Sequence, residues 1–529
     1  MKKKNFHIGL DSSGDKHPEG KHINPAAMKE LGIDFVVDKY SVECRKISDE
    51  SARILDHAKE YEDAGLDFLF NVETGNWRQK FVSEDGWDWV MRPDGNHLFM
   101  FPGEMLDKLA TSPRFMGVMY DELEHSQITR NLTLTLQDPN CDMVCLGETT
   151  GMSLEEADET VYNHTKKLVD EIESHGKNLR VFSEHVWPVL FHNFSRAGVT
   201  AAYKQMKENW SNVWAACALG AARQYDKEMW ACLDFWNHNT FPGHSPEELW
   251  GNMLFAYWTG VDYMYIEAIV KGVYTVENGD YDHPSIHEYG EKIREFSKSY
   301  VPANERDYTH RDYEPKTAII RFDDTLWGQG DDHYCVVEGD GKLVWKDYLF
   351  GSKTLRTSPE SEEWLKVWNL ISHGWISEES LSWNYEVPYK NRNLPHRSFC
   401  PVNAPIVFDH TVGAEHLGTL DLAFLCGHKI SDETLAAVRE AVKGGLTVVT
   451  SARFAPKAVA DGYCCGTKVV ADGEGKWVIT DNMNSDEVKA AVSDLLGKDD
   501  EMVYFFKGGK KVTFKIAENG DEVEVIKNF

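Results

Sequence analysis

Between Phe6 and Ala268 eight short apolar segments, FHIGLD (6–11), IDFVVDKY (33–40), LDFLFNVE (66–73), FMGVMYD (115–121), NLRVFSEHVW (178–187), VTAAYKQM (199–206), EMWACLDFW (228–236) and VDYMYIEA (261–268), are interleaved with helical stretches. The helical stretches carry their own boundary signals. SDESARILDHAKEYEDAG (48–65) begins on a capping serine and stops on glycine. SLEEADETVYNHTKKLVDEIESHG (153–176) opens with a capping-box pattern, and SPEELWGNMLFAYWTG (245–260) places Ser245 at the cap and Pro246 at the first turn. Eight strands alternating with helices predict a (β/α)8 TIM barrel. A doubly wound open sheet is the alternative, and the count of eight with no glycine-rich first turn favours the barrel.

At 529 residues the chain exceeds what one core usually holds. The expected division is a catalytic barrel over 1–298, a polar linker over 299–316, a smaller α/β domain over 317–500 and a C-terminal β segment over 501–529. The second domain reads from the short apolar strands TAIIRF, APIVFD, LDLAFLCG and GLTVVTSA, with amphipathic helices between them. The tail alternates and turns at GG and NG, as a β-meander does.

Charge narrows the partners. Lys and Arg number 56 against 86 Asp and Glu, a net charge of −30, which repels nucleic acid and anionic membrane surfaces and suits a neutral ligand. No apolar run reaches the ~20 residues of a membrane span, and the basic start has no apolar region behind it. The ten cysteines contain no CxxC, so a reduced, cytoplasmic setting is expected. A secreted protein whose leader has been removed is the alternative.

Barrel enzymes place chemistry at the C-terminal ends of the strands. Those ends carry Asp11, Lys39, Glu73, Asp121 with Glu122, Glu184 with His185, Lys204, Asp234 with Trp236, and Glu267. Strand alternation turns Asp11 inward and favours Asp121 inward with Glu122 at the rim; Asp234 shares its face with Cys232 and Trp236, Glu267 with Tyr263 and Tyr265, and Glu184 with Phe182 and Arg180. The sequence does not decide between Asp121 and Glu122. Such a crowd of acids suits cleavage of a glycosidic bond, which needs one protonated and one ionised carboxyl. The candidate catalytic residues are Asp121, Glu122, Glu184, Asp234 and Glu267. The candidate substrate-binding residues are Asp11, Lys39, Glu73, Trp77, His185, Trp187, Lys204, Trp236 and His238, the tryptophans offering flat faces to sugar rings. No metal and no cofactor are required by this chemistry. Cys426, in FLCGH, follows a leucine where a nucleophile elbow needs a small residue, and reads as a buried structural thiol.

The segments LDLAFLCGHKISDETLAAVREAVKGGLTVVTSA and AARQYDKEMWACLDFW with SPEELWGNMLFAYWTGVDYMYIEA resemble bacterial β-galactosidases and their relatives. The resemblance implies a glycoside hydrolase acting on a neutral or weakly charged oligosaccharide. It also implies an amidotransferase-like second domain that assembles a homo-oligomer, dimer or trimer. Those barrels usually end the fourth strand in Asn-Glu and carry a glutamate on the seventh. This chain has Asp121-Glu122 and Asp234 there. A catalytically silent carbohydrate-binding or assembly protein on the same barrel, or a lyase or metal-dependent hydrolase, are the rival readings.

Overall fold

Strand ends and helix caps in the computed structural model follow from the local sequence. The structure describes residues 5–11, 22–39, 47–72, 103–124, 127, 146–147, 149, 151–205, 210–234, 245–267, 272–323, 342–344, 363–377, 382–384, 398–518, 520 and 522–529. Eight parallel strands close into a barrel in sequence order: β1 (His7–Asp11), β2 (Phe35–Lys39), β3 (Asp67–Asn71), β4 (Phe115–Asp121), β5 (Arg180–His185), β6 (Thr200–Gln205), β7 (Trp230–Leu233) and β8 (Tyr263–Ile266). Around them run α1 (Pro25–Glu30), α2 (Ile47–Ala64), α3 (Gly103–Leu109), α4 (Leu154–Ser174), α5 (Phe191–Ala197), α6 (Ser211–Gln224) and α7 (Pro246–Trp258). Ser153 with Glu156 and Ser245 with Glu248 form reciprocal capping boxes, so α4 and α7 start where their sequences say they should.

The barrel interior is packed in two regimes. Phe35, Val37, Leu69, Met116, Met119, Phe182, Ala202, Trp230, Cys232 and Tyr265 make a closed apolar cluster inside the strands. At its lower end Trp230 stacks on Tyr263 at 4.3 Å and 11°. The Arg180 guanidinium lies 5.0 Å over Phe182 and pairs with Glu228. These residues start β5, β7 and β8, so the aromatic floor seals the N-terminal mouth and leaves the strand ends above it for polar groups. Gly117 permits the β4–β5 contact: at φ 137° a Cβ there would sit 1.9 Å from the Arg180 carbonyl oxygen.

A short antiparallel pair, β9 (Tyr274–Thr275) and β10 (Ser285–Ile286), follows the barrel. The next sheet contains β11 (Thr317–Arg321), and β12 (Lys342–Val344) pairs separately with β13 (Ser382–Asn384). It continues with β14 (Ile406–Asp409), β15 (Leu422–Cys426), β16 (Thr447–Thr450), β17 (Thr467–Asp472) and β18 (Gly475–Thr480), in the order β14-β11-β15-β16-β18-β17. Only β17 is antiparallel to its neighbour, and the five parallel strands have the 2-1-3-4-5 order of flavodoxin-like sheets. Cys426 is fully buried at the end of β15. β19 (Glu501–Phe506), β20 (Lys510–Ile516) and β21 (Val523–Asn528) form the terminal meander.

The two bodies are fastened along an edge. α6 lies against edge strand β14 so closely that a Cβ on Gly220 would fall 1.5 Å from the Val407 oxygen. His192 Nε2 donates to that oxygen at 2.9 Å, and Gln224 Oε1 accepts from the Asp409 amide at 3.0 Å. Barrel side chains thereby satisfy backbone groups that an open edge would expose. Residues 299–316 read as a linker but are packed: Arg306, Tyr308, His310 and Tyr313 are buried, and Tyr308 stacks on Phe506 at 3.9 Å. The polar count of that segment hid its aromatic anchors. No helix among the described residues is long and apolar enough to cross a membrane.

Candidate active site

Lys204 sits at the end of β6, on the inward face, 1% exposed. Its ammonium collects four carboxylates from four other strand ends. Nζ is 2.7 Å from Glu184 Oε1, 3.0 Å from Asp234 Oδ2, 3.3 Å from Glu122 Oε1 and 3.5 Å from Glu267 Oε2. Glu184, Asp234 and Glu267 are buried, whereas the Glu122 side chain keeps 14% of its surface. The strand registers bring these groups to one level: Asp121 pairs with Glu184, and Leu233 with Ile266 one residue below Asp234 and Glu267. Asp11 follows Leu10, the partner of Ile266, and is buried at the same level on β1. Asp121 also points inward, where Asn71 Nδ2 donates to its Oδ2 at 3.1 Å.

Glu122 departs from strand alternation. Continued extension of β4 would turn it away from Asp121, but its φ is 49°, in the left-handed region. That turn brings its carboxylate back toward the mouth, so both residues of the Asp-Glu pair face it. The backbone is held there by the Glu122 amide, which donates to the Glu184 carbonyl at 2.9 Å.

The electrostatics divide the acids. Burial first, and then the charge of Glu267, push Asp234 well above the usual carboxylate range, while Lys204 works against them. Burial acts to lower Lys204, but Asp234, Glu184, Glu267 and Asp121 together outweigh it and hold the ammonium well above its ordinary value. The Tyr265 hydroxyl donates to Glu184 Oε2, and burial followed by the neighbouring Cys232 and Glu184 pushes that phenol up. Cys232 lies 3.8 Å from Glu267 Oε2, and burial likewise keeps it a thiol. Glu184, Cys232 and Glu267 have donor atoms within 4.8 Å of one another, a spacing that suits a metal, yet the Lys204 ammonium already occupies the cationic position among the same carboxylates.

A second cluster lies outside the barrel wall. Asp38 accepts from His57 Nδ1 at 2.7 Å and from the Tyr61 hydroxyl at 3.1 Å, and His22 stacks on His57 at 3.7 Å. His22, Asp38 and His57 also fall within 4.8 Å of one another, but Arg53 Nη1 stands 3.0 Å from His57 Nδ1. Burial would raise Asp38; His57, followed by Arg53 and His22, overrides it and holds Asp38 well below the usual range. The cluster secures the half-buried Lys39. Asp38 Oδ1 accepts its amide at 2.8 Å and Arg53 Nη2 donates to its carbonyl at 2.6 Å. Sequence reading did not find it, although Arg53, His57 and Tyr61 recur at helical spacing on one face of α2.

Two expected binding residues are elsewhere. His185 is on the outer face of β5, fully buried, stacked on Phe191 at 4.0 Å. Burial lowers it to about 3, so it is neutral, and Nδ1 donates to the Val189 carbonyl at 3.1 Å. Alternation explains this, since Glu184 takes the inward position. Trp187 is 5% exposed within the apolar layer, so its ring has no face open to a sugar. Glu73, Trp77, Trp236 and His238 lie outside the described residues. Glu124 was visible in the sequence only as one more acid in the DELEH run; it is fully buried and accepts from the Val186 and Trp187 amides at 2.7 and 3.1 Å.

Three solved structures share this architecture over nearly their whole lengths. A β-galactosidase from the psychrophilic Marinomonas ef1 superposes with a TM-score of 0.57 at 9% identity, covering 96% of this chain and 95% of that one. A polyextremophilic β-galactosidase from the Antarctic haloarchaeon Halorubrum lacusprofundi gives 0.56 at 9%, covering 98% of each chain. The β-galactosidase of Bacillus circulans sp. alkalophilus gives 0.56 at 11%, covering 97% and 93%. The fold is that of these β-galactosidases. No protein-family model and no curated protein matches the sequence.

Proposed function

We propose that the protein is a retaining glycoside hydrolase acting on a neutral or weakly charged oligosaccharide. The observation that carries this reading is the ring of four carboxylates on one ammonium. Because Glu122 and Asp234 both contact Lys204 Nζ, their nearest oxygens are at most about 6.3 Å apart, the sum of 3.3 Å and 3.0 Å. The same bound for Asp234 and Glu267 is about 6.5 Å, from 3.0 Å and 3.5 Å. Retaining enzymes hold their carboxyl groups ~5–5.5 Å apart, whereas inverting enzymes need ~6.5–9.5 Å to admit a water. The bound of about 6.3 Å for Glu122 and Asp234 supports the retaining reading.

Glu122, the least buried of the four, faces the mouth through which the leaving group must pass. It donates a proton to the glycosidic oxygen. Asp234, buried beneath, attacks the anomeric carbon and forms a glycosyl ester. Glu122 then takes a proton from the water that hydrolyses the ester. Lys204 binds and orders the carboxylates, and Glu184 and Glu267 set the charge around Asp234. Two-carboxylate chemistry of this kind uses no cofactor. The likeness to three β-galactosidases in fold supports the substrate class. The second sheet is assigned the assembly of a homo-oligomer, a dimer or trimer. Its free edge strand β17 exposes Val469, which is 52% accessible.

The test is a panel of aryl glycosides and oligosaccharides, with NMR detection of the first anomer released. Retention of configuration in the parent, with turnover lost in Glu122→Gln and Asp234→Asn, is the expected result. Inversion, or undiminished turnover in both variants, overturns the assignment. Light scattering after size exclusion tests assembly, and a clean monomer refutes it.

A further inference from the structure

We infer that Glu124 is the positioning residue for the acid–base carboxylate Glu122, holding it in its left-handed backbone by stapling the β4 end to the loop after β5. This rests on the reading of Glu122 given above. Three hydrogen bonds stitch residues 122–124 to residues 184–187. The Glu122 amide donates to the Glu184 carbonyl at 2.9 Å, and Glu124 Oε1 accepts from the amides of Val186 at 2.7 Å and Trp187 at 3.1 Å. Between these anchors stands the φ of 49° at Glu122. A non-glycine residue in that region is strained by about 1–3 kcal/mol and keeps the conformation only when its surroundings fix it. Here the surroundings on both sides are named: the β4–β5 ladder before Glu122 and the Glu124 side chain after it. Glu124 is fully buried, so its two acceptor contacts are made out of reach of water. They also explain Trp187. Its amide is drawn toward Glu124 and its ring is folded into the apolar layer.

The chemistry of Glu124 itself points the same way. Burial, then the charge of Glu122, push it above the usual carboxylate range, while the two amides bound to Oε1 work the other way. Glutamine presents a carbonyl oxygen at the same reach. Aspartate is a methylene too short to meet both amides, and alanine meets neither. Glu124 touches no substrate in this scheme; it acts through Glu122.

The experiment compares Glu124→Gln, Glu124→Asp and Glu124→Ala in the full chain by kinetics and by amide hydrogen exchange over residues 120–124 and 184–189. Expected kinetics are a kcat within about threefold of the parent for the glutamine variant and a loss of about ten- to a hundredfold for alanine, with aspartate between. KM should change less than about twofold throughout. Exchange of the Glu122 amide should accelerate about tenfold or more in alanine and aspartate and stay slow in glutamine. Parent kinetics and parent exchange in the alanine variant overturn the inference while leaving the hydrolase reading intact. If the parent cleaves no glycoside, that reading fails, and the exchange data still decide whether Glu124 fixes Glu122. If alanine does not fold, the aspartate and glutamine variants carry the same comparison.

Discussion

Replacing Glu267 by glutamine isolates the charge that most opposes ionisation of Asp234 after burial itself. The structure sets the size of the effect. Both carboxylates contact Lys204 Nζ, so their oxygens are at most about 6.5 Å apart, from 3.0 Å and 3.5 Å. Two unit charges at that distance repel by about 2.5 kcal/mol at an effective dielectric of ~20. At 1.36 kcal/mol per pH unit, removing one charge should move Asp234 down by roughly one to two units. The sign follows from its role. Attack needs an ionised Asp234, so the acid limb of kcat/KM reports the pH at which it loses its proton. With Asp234 in the proposed role, that limb should lie above the ordinary carboxylate range in the parent, because burial and Glu267 raise the group. In Glu267→Gln the limb should move toward acid by about one to two units, with the plateau rate within about tenfold. Initial rates on an activated aryl glycoside across the stable pH range measure it. A limb that stays fixed or moves toward alkali refutes the electrostatic coupling. Abolished turnover at every pH places Glu267, not Asp234, at the reacting carbon.

Lys204→Met should do the opposite to the acid limb, moving it toward alkali, and should destabilise the fold by about 3–5 kcal/mol because buried carboxylates lose their counter-ion; pH-rate profiles with urea titrations check both. Asp234→Asn should abolish turnover yet stabilise the protein above neutral pH. A carboxyl whose pKa is raised on folding contributes fully only below its unfolded value and is lost as pH rises through the folded one, so removing it flattens that loss. Melting temperatures at pH 5 and pH 8.5 should therefore diverge less in the variant than in the parent. Asp38→Asn should cost stability that the parent keeps down to strongly acid pH, since that group is depressed on folding. Gly220→Ala should cost about 1–3 kcal/mol or more by forcing α6 off the Val407 carbonyl, and calorimetry should show the unfolding of barrel and second sheet separating.

Much of the fold was legible because periodicity and caps report local physics. The capping serines of α4 and α7 mark true helix starts, and the β4 segment from Phe115 to Asp121 reads as a strand because it is one. Alternation turns Asp11 and Asp121 inward, and both are buried at strand ends, since a closed barrel leaves each strand one inside face. The fastening of β14 by Gly220, His192 and Gln224 was not legible. It depends on a close approach between segments nearly two hundred residues apart, which no local pattern encodes.

The site broke the reading where backbone conformation overrode side-chain alternation. His185 was grouped with Glu184 because the two adjoin, but adjacency in an extended strand means opposite faces, and His185 faces α5. Glu122 adjoins Asp121 in the same way and yet shares its side, because its φ of 49° cancels the alternation. Two neighbouring pairs, Glu184-His185 and Asp121-Glu122, thus look alike in sequence and are resolved oppositely by one dihedral. The tertiary bonds fixing that dihedral come from Glu184 and Glu124, themselves acids at the same strand ends. The clustered carboxylates therefore have separate tasks. Some form the ring around Lys204, and one shapes the backbone that lets another reach it. Repulsion between Glu122 and Glu124 is eased because burial raises Glu124 above the usual carboxylate range and Lys204 Nζ stands 3.3 Å from Glu122.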